Sequence, residues 1–428
     1  MQVAGRNVFL PLRQTVLGAR RQYPVARQSK SAGTQTNVEQ VPPSAAKCHG
    51  KMRGWQLHSY GDIDELQLSD KLKIPSIRSS NECLVRIRTT TVNPIDVAML
   101  RGYGATVLNK MRCLPSDGIE FPLILGREFC GELVHKGMGV SESLPLGTRV
   151  WGVVPLQASA GAHAEYVAVP SYCVSPMEKF VEPSLISIKT IQISQAPDQL
   201  DDCEAASVLY AGLTAWSGLY VTGGLGGPCG ATTSSGGGAH KRVLVLGGSG
   251  GVGTLAVQIL KSQKVQVLAT CSARNVEMVR NLGADFVVDY NDCEAMEELC
   301  KYAPYDIVLD CAGQGAQKAE ELKYDYRQYI TFSSPMLANI DQQGLVFGAI
   351  KNVGDLVQTN FKSFVQRGGL VKWGFFSPAP HGIEFLKKLV ESRKLIPQID
   401  CSFDFAELPK AFERLKGGHM QGKAVVKL

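Results

Sequence analysis

No apolar run in the 428 residues approaches the roughly 18–20 that a membrane-spanning helix requires. The longest apolar stretches, such as VLVLGG at 243–248, have the length of strands. Twelve cysteines are present, but no two form a C-x-x-C pair and none has metal-finger spacing. A secreted disulfide scaffold would be shorter and denser in cysteine, so these read as mostly buried thiols in a reducing compartment. A basic body is also missing. Residues 1–40 hold Arg6, Arg13, Arg20, Arg21, Arg27 and Lys30 against Glu39 alone, so they carry +5 of the formal +6. The rest of the chain is near +1 and offers no basic surface for nucleic acid.

The leader is itself informative. Arg6, Arg13, Arg20 and Arg27 recur every seven residues, which on a helix sets them nearly on one face. Val8, Leu10, Leu12, Val16 and Leu17 lie between them. An Arg-rich, acid-poor, amphipathic start is the signature of a mitochondrial transit peptide, here 1–47 with its linker, with cleavage between about residues 25 and 47. The alternative is a disordered basic tail, which Pro11 and Pro24 favour because each interrupts a helix. The expected destination is the mitochondrion, in the matrix.

Past the leader, MRGWQLHSYG (52–61), CLVRIRTTTVN (83–93), GTRVWGVVP (147–155) and AHAEYVAVP (162–170) are short β-patterned segments bounded by Gly or Pro. They predict a small barrel or sandwich. CEAASVLYAGLTAWSGLY from 203 reads as a helix pair broken near Gly212. The glycine-rich stretch 223–238 is a flexible loop or linker with no assigned chemistry. From 241 strands alternate with helices, which predicts a parallel doubly wound sheet. A further strand (371–376), a helix, a strand, a helix and a final strand close the chain.

The strand at 241–247 runs into G-G-S-G-G-V-G (247–253) and then a helix. Gly248, Gly250 and Gly253 fit G-x-G-x-x-G, with Ser249, Gly251 and Val252 between them. In this motif Gly248 permits the tight turn, Gly250 lets the backbone approach a pyrophosphate, and Gly253 lets the helix pack on the strand. The helix N-terminus then presents free N–H groups to phosphate. A Walker loop is excluded because no Gly-Lys-Ser/Thr follows. An acid about twenty residues on would grip the ribose of NAD. The chain instead reads VLATCSARN (267–275), offering the Ser272 hydroxyl and the Arg274 guanidinium. Arg pairs with phosphate oxygens through parallel hydrogen bonds, so the stretch reads as an NADPH site. Arg274 as an ordinary exposed arginine and Ser272 as a helix N-cap are the alternatives.

TVNPIDVAMLRGYG (91–104), GREFCGELV (126–134), YAGLTAWSGL (210–219), LGGSGGVG (246–253) and GGHMQGKAVV (417–426) together resemble the medium-chain dehydrogenase/reductase superfamily. They are most similar to its quinone-oxidoreductase branch, in order over about residues 50–428. The resemblance implies an α/β protein, a GroES-like β-barrel catalytic domain plus a Rossmann nucleotide-binding domain. The expected boundaries are 48–205 and 206–377, with 378–428 returning to the barrel. Zinc alcohol dehydrogenases of the superfamily carry a histidine ligand where this chain has Arg127, which cannot ligate a metal. The first zinc cysteine and the four-cysteine lobe are also absent, so no metal site is expected, and Cys130 reads as core.

Without a Lewis acid, reduction of a quinone or enone-like acceptor is the expected chemistry, with NADPH as the hydride source. The resemblance places Asn93 beside the acceptor, where it polarises a carbonyl or serves the turn before Pro94. Many quinone reductases carry a tyrosine where this chain has Ala98, and Tyr103 is the candidate replacement. Thr214, Tyr290, Phe332, Ser333, Gly374 and Phe376 fall beside the cofactor, and His419, Met420 and Gln421 form a loop closing over it. Lys423 is left between a phosphate contact and solvated surface. The resemblance also implies a homodimer joined at strand 371–376, a role in ubiquinone metabolism, and a membrane-associated partner of the reticulon kind. Two rival functions remain: a trans-2-enoyl thioester reductase of fatty-acid synthesis, and an NADPH-binding interaction protein without turnover.

Overall fold

The computed structural model describes residues 50–112, 120–170, 193–226 and 240–428. The basic leader, its cleavage window, most of the loop 223–238 and residues 113–119 lie outside the described residues.

Two sheets carry the fold. The first is parallel and six-stranded, running from Phe286–Asp289 through Gln266–Cys271, Arg242–Leu246, Tyr305–Asp310 and Tyr326–Thr331 to Leu370–Trp373. Val243, Leu244, Val245 and Leu246 are all buried, as expected of a strand covered on both faces. One covering helix is Gly251–Ser262, which buries Leu255, Ile259 and Leu260. The second sheet has seven strands. Its core pairs Glu82–Val92 antiparallel with Glu128–Lys136 on one side and with the C-terminal strand Lys423–Lys427 on the other. Among the described residues no helix is long and apolar enough to cross a membrane.

Four expectations change. The helix pair from 203 breaks at Ser207–Val208, between Asp202–Ala206 and Leu209–Trp216. Gly212 lies inside the second helix, where an added Cβ would sit 2.9 Å from Leu386, so the glycine serves close packing. The helix Pro380–Glu391 buries Ile383, Phe385 and Leu386 in the same core as Val243 and Leu255. The return to the barrel sheet therefore begins at Ile399–Asp404. The strand expected at 371–376 is Leu370–Trp373, so Gly374 and Phe376 follow it.

The fourth change is an element that was not anticipated, the 32-residue helix Met336–Arg367, broken at Gly344 (φ 77°). Its second segment points polar residues inward. Asn352 donates to the Met336 carbonyl, and Ser363 donates to the Gly369 carbonyl. Asn360 accepts from Val371 N–H at 2.8 Å and donates to Val371 C=O at 2.9 Å. Val346, Phe347, Ile350, Val353, Val357, Phe361, Phe364 and Val365 face outward, 63–72% exposed. The strand Leu370–Trp373, expected as a dimer edge, is the outermost of its sheet, but Asn360 already occupies the backbone groups of Val371.

Candidate active site

The phosphate turn follows from its glycines. Gly247 has φ 78°, so it, rather than Gly248, takes the left-handed turn. Gly248 is constrained differently: a Cβ there would lie 2.9 Å from the Ala269 methyl. A Cβ on Gly253 would sit 2.1 Å from the Gly247 carbonyl oxygen, which fixes helix against turn. At Gly250 the nearest atom to an added Cβ is 3.6 Å away, leaving room for a ligand. Gly250 is the helix N-cap and offers no side-chain cap, so the first N–H groups of Gly251–Ser262 are open to a phosphate.

The C-terminal loop closes on this turn. Gly422 N–H donates to the Ser249 carbonyl at 2.9 Å. Gln421 donates to Asn275 Oδ1 at 2.5 Å, and Met420 is buried. His419 holds φ 52°; its carbonyl accepts from Arg274 Nη2 at 2.5 Å, and its ring Nδ1 lies 3.4 Å from the Tyr290 hydroxyl. The structure therefore gathers Arg274, Tyr290 and His419 at the end of Gln266–Cys271. Ser272 stands at the N-cap of the short turn that follows, without a side-chain capping bond.

At the other end lies a cavity of about 440 Å³. Asn93, Ala98, Tyr103, Tyr210, Thr214, Val252, Phe332, Ser333, Gly374 and Phe376 are among its lining residues. Tyr210 stacks on Phe376 with centroids 4.3 Å apart. Thr214 spends its hydroxyl on the Tyr210 carbonyl at 2.7 Å, and Tyr103 donates to the Ser334 carbonyl at 3.2 Å. Asp341, in the unanticipated helix, accepts from Gly104 and Thr106 N–H and so holds the Tyr103 loop. Gly374 N–H is engaged by the Thr331 carbonyl at 2.9 Å.

Beneath the cavity lies a buried ionic cluster. Lys423 is neither on the surface nor placed for phosphate. Its ammonium meets Glu128 Oε1 at 2.6 Å, with side chains 6% and 1% exposed, and also donates to Asn93 Oδ1. Glu128 accepts further bonds from Thr91 Oγ1 (2.5 Å), Asn93 Nδ2 (3.1 Å) and Tyr210 N–H (2.8 Å). The Asn93 amide also donates to Thr91 at 3.3 Å. Both its N–H bonds thus point into the protein, and its backbone N–H takes Asp96 as a helix cap. Asn93 caps the helix Pro94–Leu100 and engages its amide N–H groups within the protein, while it also lines the cavity. Glu128 was visible in the GREF motif, but nothing in local spacing linked it to Lys423, 295 residues away.

Arg127 is fully buried and donates to the Pro155 and Ala158 carbonyls. Burial pulls its guanidinium down to about 10, so it stays cationic at neutral pH. Burial likewise pushes the Cys130 thiol up to about 12, in keeping with a core residue. Burial, with Asp96 adding to it, raises the Tyr210 phenol far above its ordinary value, so it keeps its proton.

Residues 79–179 match the alcohol dehydrogenase GroES-like domain and 282–426 the zinc-binding dehydrogenase family. The chain is 74% identical to the Drosophila melanogaster mitochondrial NAD(P)H oxidoreductase RTN4IP1, covering all of this chain and 98% of that one. It is 34% identical to the Homo sapiens protein of that name, over 88% of this chain and 89% of the other. A Caenorhabditis elegans relative, 30% identical over 88% of this chain and 95% of its own, is named reticulon-4-interacting protein 1. Among solved structures, a quinone oxidoreductase from Coxiella burnetii shares the fold, with TM-score 0.65 and 24% identity over 88% of this chain and 99% of that one. The chain belongs to the family of the mitochondrial NAD(P)H oxidoreductase RTN4IP1, the reticulon-4-interacting proteins, and carries that family's alcohol dehydrogenase GroES-like domain.

Proposed function

We propose that the protein is a mitochondrial matrix oxidoreductase that uses NADPH, without a metal ion, to reduce a quinone or enone-like acceptor. The observation that carries this reading is the convergence of Arg274, Tyr290 and His419 beside Ser272, at the place where an NAD enzyme holds a carboxylate. The open N–H groups at Gly251–Gly253 fit the pyrophosphate, and Arg274 with Ser272 fits the 2′-phosphate. When bound, NADPH supplies the hydride. The apolar cavity excludes water from the acceptor, and Phe332 and Phe376 form part of its wall. Tyr210, protonated and on the cavity wall, is the donor we assign to the acceptor oxygen in place of Asn93. Tyr103 stands as the second hydroxyl on the same wall.

The names of the relatives support the nicotinamide cofactor and the mitochondrial setting. A role in ubiquinone metabolism rests on resemblance alone. The enoyl thioester reductase reading keeps Tyr103 and Tyr210 as acids and predicts turnover of enoyl-CoA. The interaction-protein reading, in line with the name of the worm relative, predicts tight cofactor binding and no turnover.

The test is calorimetric titration with NADPH and NADH, followed by acceptor turnover. We expect NADPH to bind at least about tenfold tighter than NADH, a preference lost in Ser272→Asp/Arg274→Ala. Equal affinities in the wild type would sink the 2′-phosphate reading.

A further inference from the structure

The helix Ala105–Met111 has no cap from its own end of the chain. Its N-cap is Gly104, left-handed at φ 79°, with no side chain to offer the first N–H groups. The cap comes from the nucleotide-binding half, 237 residues on from Gly104. Asp341 accepts from Gly104 N–H at 2.6 Å and from Thr106 N–H at 2.9 Å, one carboxylate oxygen to each. A carboxylate at a helix N-terminus also gains from the helix dipole. Little else anchors this helix at that end. Of its seven residues it buries Leu108, and its far end is tied to the barrel half by Arg112, which donates to the Gln157 carbonyl at 2.9 Å. The post that carries Asp341 is braced. Asn339 donates to Asn352 Oδ1 at 2.7 Å, and Asn352 donates back to the Met336 carbonyl at 3.0 Å. A Cβ on Gly348 would sit 2.6 Å from the Ile340 Cα, so the two segments meet closely across the break at Gly344.

Both sides of this contact face the acceptor. Tyr103 directly precedes Gly104, Leu337 stands one helical turn before Asp341, and both line the cavity. Leu337 also touches the latch itself: a Cβ on Gly104 would lie 3.0 Å from its Cδ1. The Tyr103 hydroxyl reaches the Ser334 carbonyl at 3.2 Å, at the long end for an O–H donor, so the ring takes its place from the backbone that Asp341 holds. We infer that Asp341 is a positioning residue for the acceptor: by joining Gly104 and Thr106 to the helix Met336–Arg367, it sets how far Tyr103 stands from the wall made by Met336 and Leu337, and so selects acceptors by size. This role rests on the reading of the cavity as the acceptor site. It is separate from the role given to Tyr210, whose backbone N–H is held by Glu128. Loss of the latch therefore loosens acceptor binding and leaves the assigned donor in place. The two bonds to Asp341 are charge-assisted. An asparagine there keeps one acceptor oxygen, and an alanine keeps none.

The test is steady-state kinetics of the full chain with NADPH and two quinones, the one-ring benzoquinone and the three-ring phenanthrenequinone, beside Asp341→Ala and Asp341→Asn. Asp341→Ala should raise KM for benzoquinone about tenfold while kcat stays within about threefold of wild type. The kcat/KM ratio of the three-ring over the one-ring quinone should rise at least about fivefold, since a loosened wall rejects the wide ring less. Asp341→Asn should fall between wild type and alanine on both measures. NADPH affinity, unchanged in both variants, would show that they fold. A fall in kcat with KM and size selectivity unmoved would overturn the positioning role, and so would variants that match the wild type throughout. Amide hydrogen exchange reads the latch without any acceptor. Exchange at residues 104–106 should quicken at least about tenfold in Asp341→Ala, and unchanged exchange there would overturn the inference even if neither quinone were turned over. A wild type that reduces neither quinone, with exchange as expected, would fault the reading of the cavity and not the latch.

Discussion

At the phosphate end of the crevice the chain offers backbone; at the acceptor end it hides charge. The first end is made of glycines, a bare helix N-terminus and side chains near solvent, such as Arg274 and Tyr290. The second is an apolar cavity resting on Glu128 and Lys423, which make no contact with solvent to speak of. An anionic ligand can be gripped by groups that water also reaches, because its own charge supplies the pull. A neutral acceptor gives no such pull, so its site depends on shape and on donors fixed from behind. A buried ion pair is a poor source of stability. Here it fixes the Asn93 amide, the first turn of Leu209–Trp216 through Tyr210 N–H, and the C-terminal strand at a single point.

The contrast can be broken most severely at the buried pair. Lys423→Met leaves the Glu128 carboxylate uncompensated and is expected to cost about 3–5 kcal/mol, read from denaturant unfolding. Pairing it with Glu128→Gln should recover part of that loss, since the two changes act on one interaction. Next comes the turn. Gly253→Ala puts a methyl against the Gly247 carbonyl and is expected to weaken NADPH binding at least about tenfold, with a stability loss of roughly 1–3 kcal/mol. A Gly253→Ala chain with intact affinity would show that the turn yields more than its contacts suggest. The change with least effect on stability is at the cavity wall. Tyr210→Phe removes one hydroxyl and should lower kcat about a hundredfold while leaving NADPH affinity and the unfolding midpoint nearly unchanged. A kcat within a factor of two of wild type would return the donor role to Tyr103.

The same contrast governs what could be read from the sequence. The glycine turn was legible because strand, turn and helix follow one another directly in the chain, and Gly253 answers a contact only six residues back. Arg274 was legible from its spacing after the glycines, whereas Tyr290 and His419 were placed only by resemblance; the structure brings the three together. Lys423 was not legible. Its partners come from elements far apart in the chain, and a lysine beside a glycine loop reads equally well as a phosphate ligand. The helix Met336–Arg367 was not anticipated, and which of its faces looks to solvent is set by the tertiary packing. Periodicity marks which side chains share a face, not which way that face looks. The partners of the Asn93 amide, Thr91 and Glu128, were not legible from its place before Pro94, since Glu128 lies 35 residues away.

The C-terminal strand has a consequence for how the molecule comes into being. Lys423–Lys427 lies between Ile399–Asp404 and Glu82–Val92, one strand in from the edge of its sheet, and Lys423 stands 330 residues from Asn93. The barrel sheet cannot close, and the acceptor cavity cannot acquire its floor, until the last few residues of the chain are available. Contacts of such sequence separation form slowly, because a long loop must be ordered before they return any stabilisation. Synthesis or import must therefore be essentially complete before the catalytic half can assemble. Until then its unpaired strands depend on something other than their own sheet to keep them from aggregating.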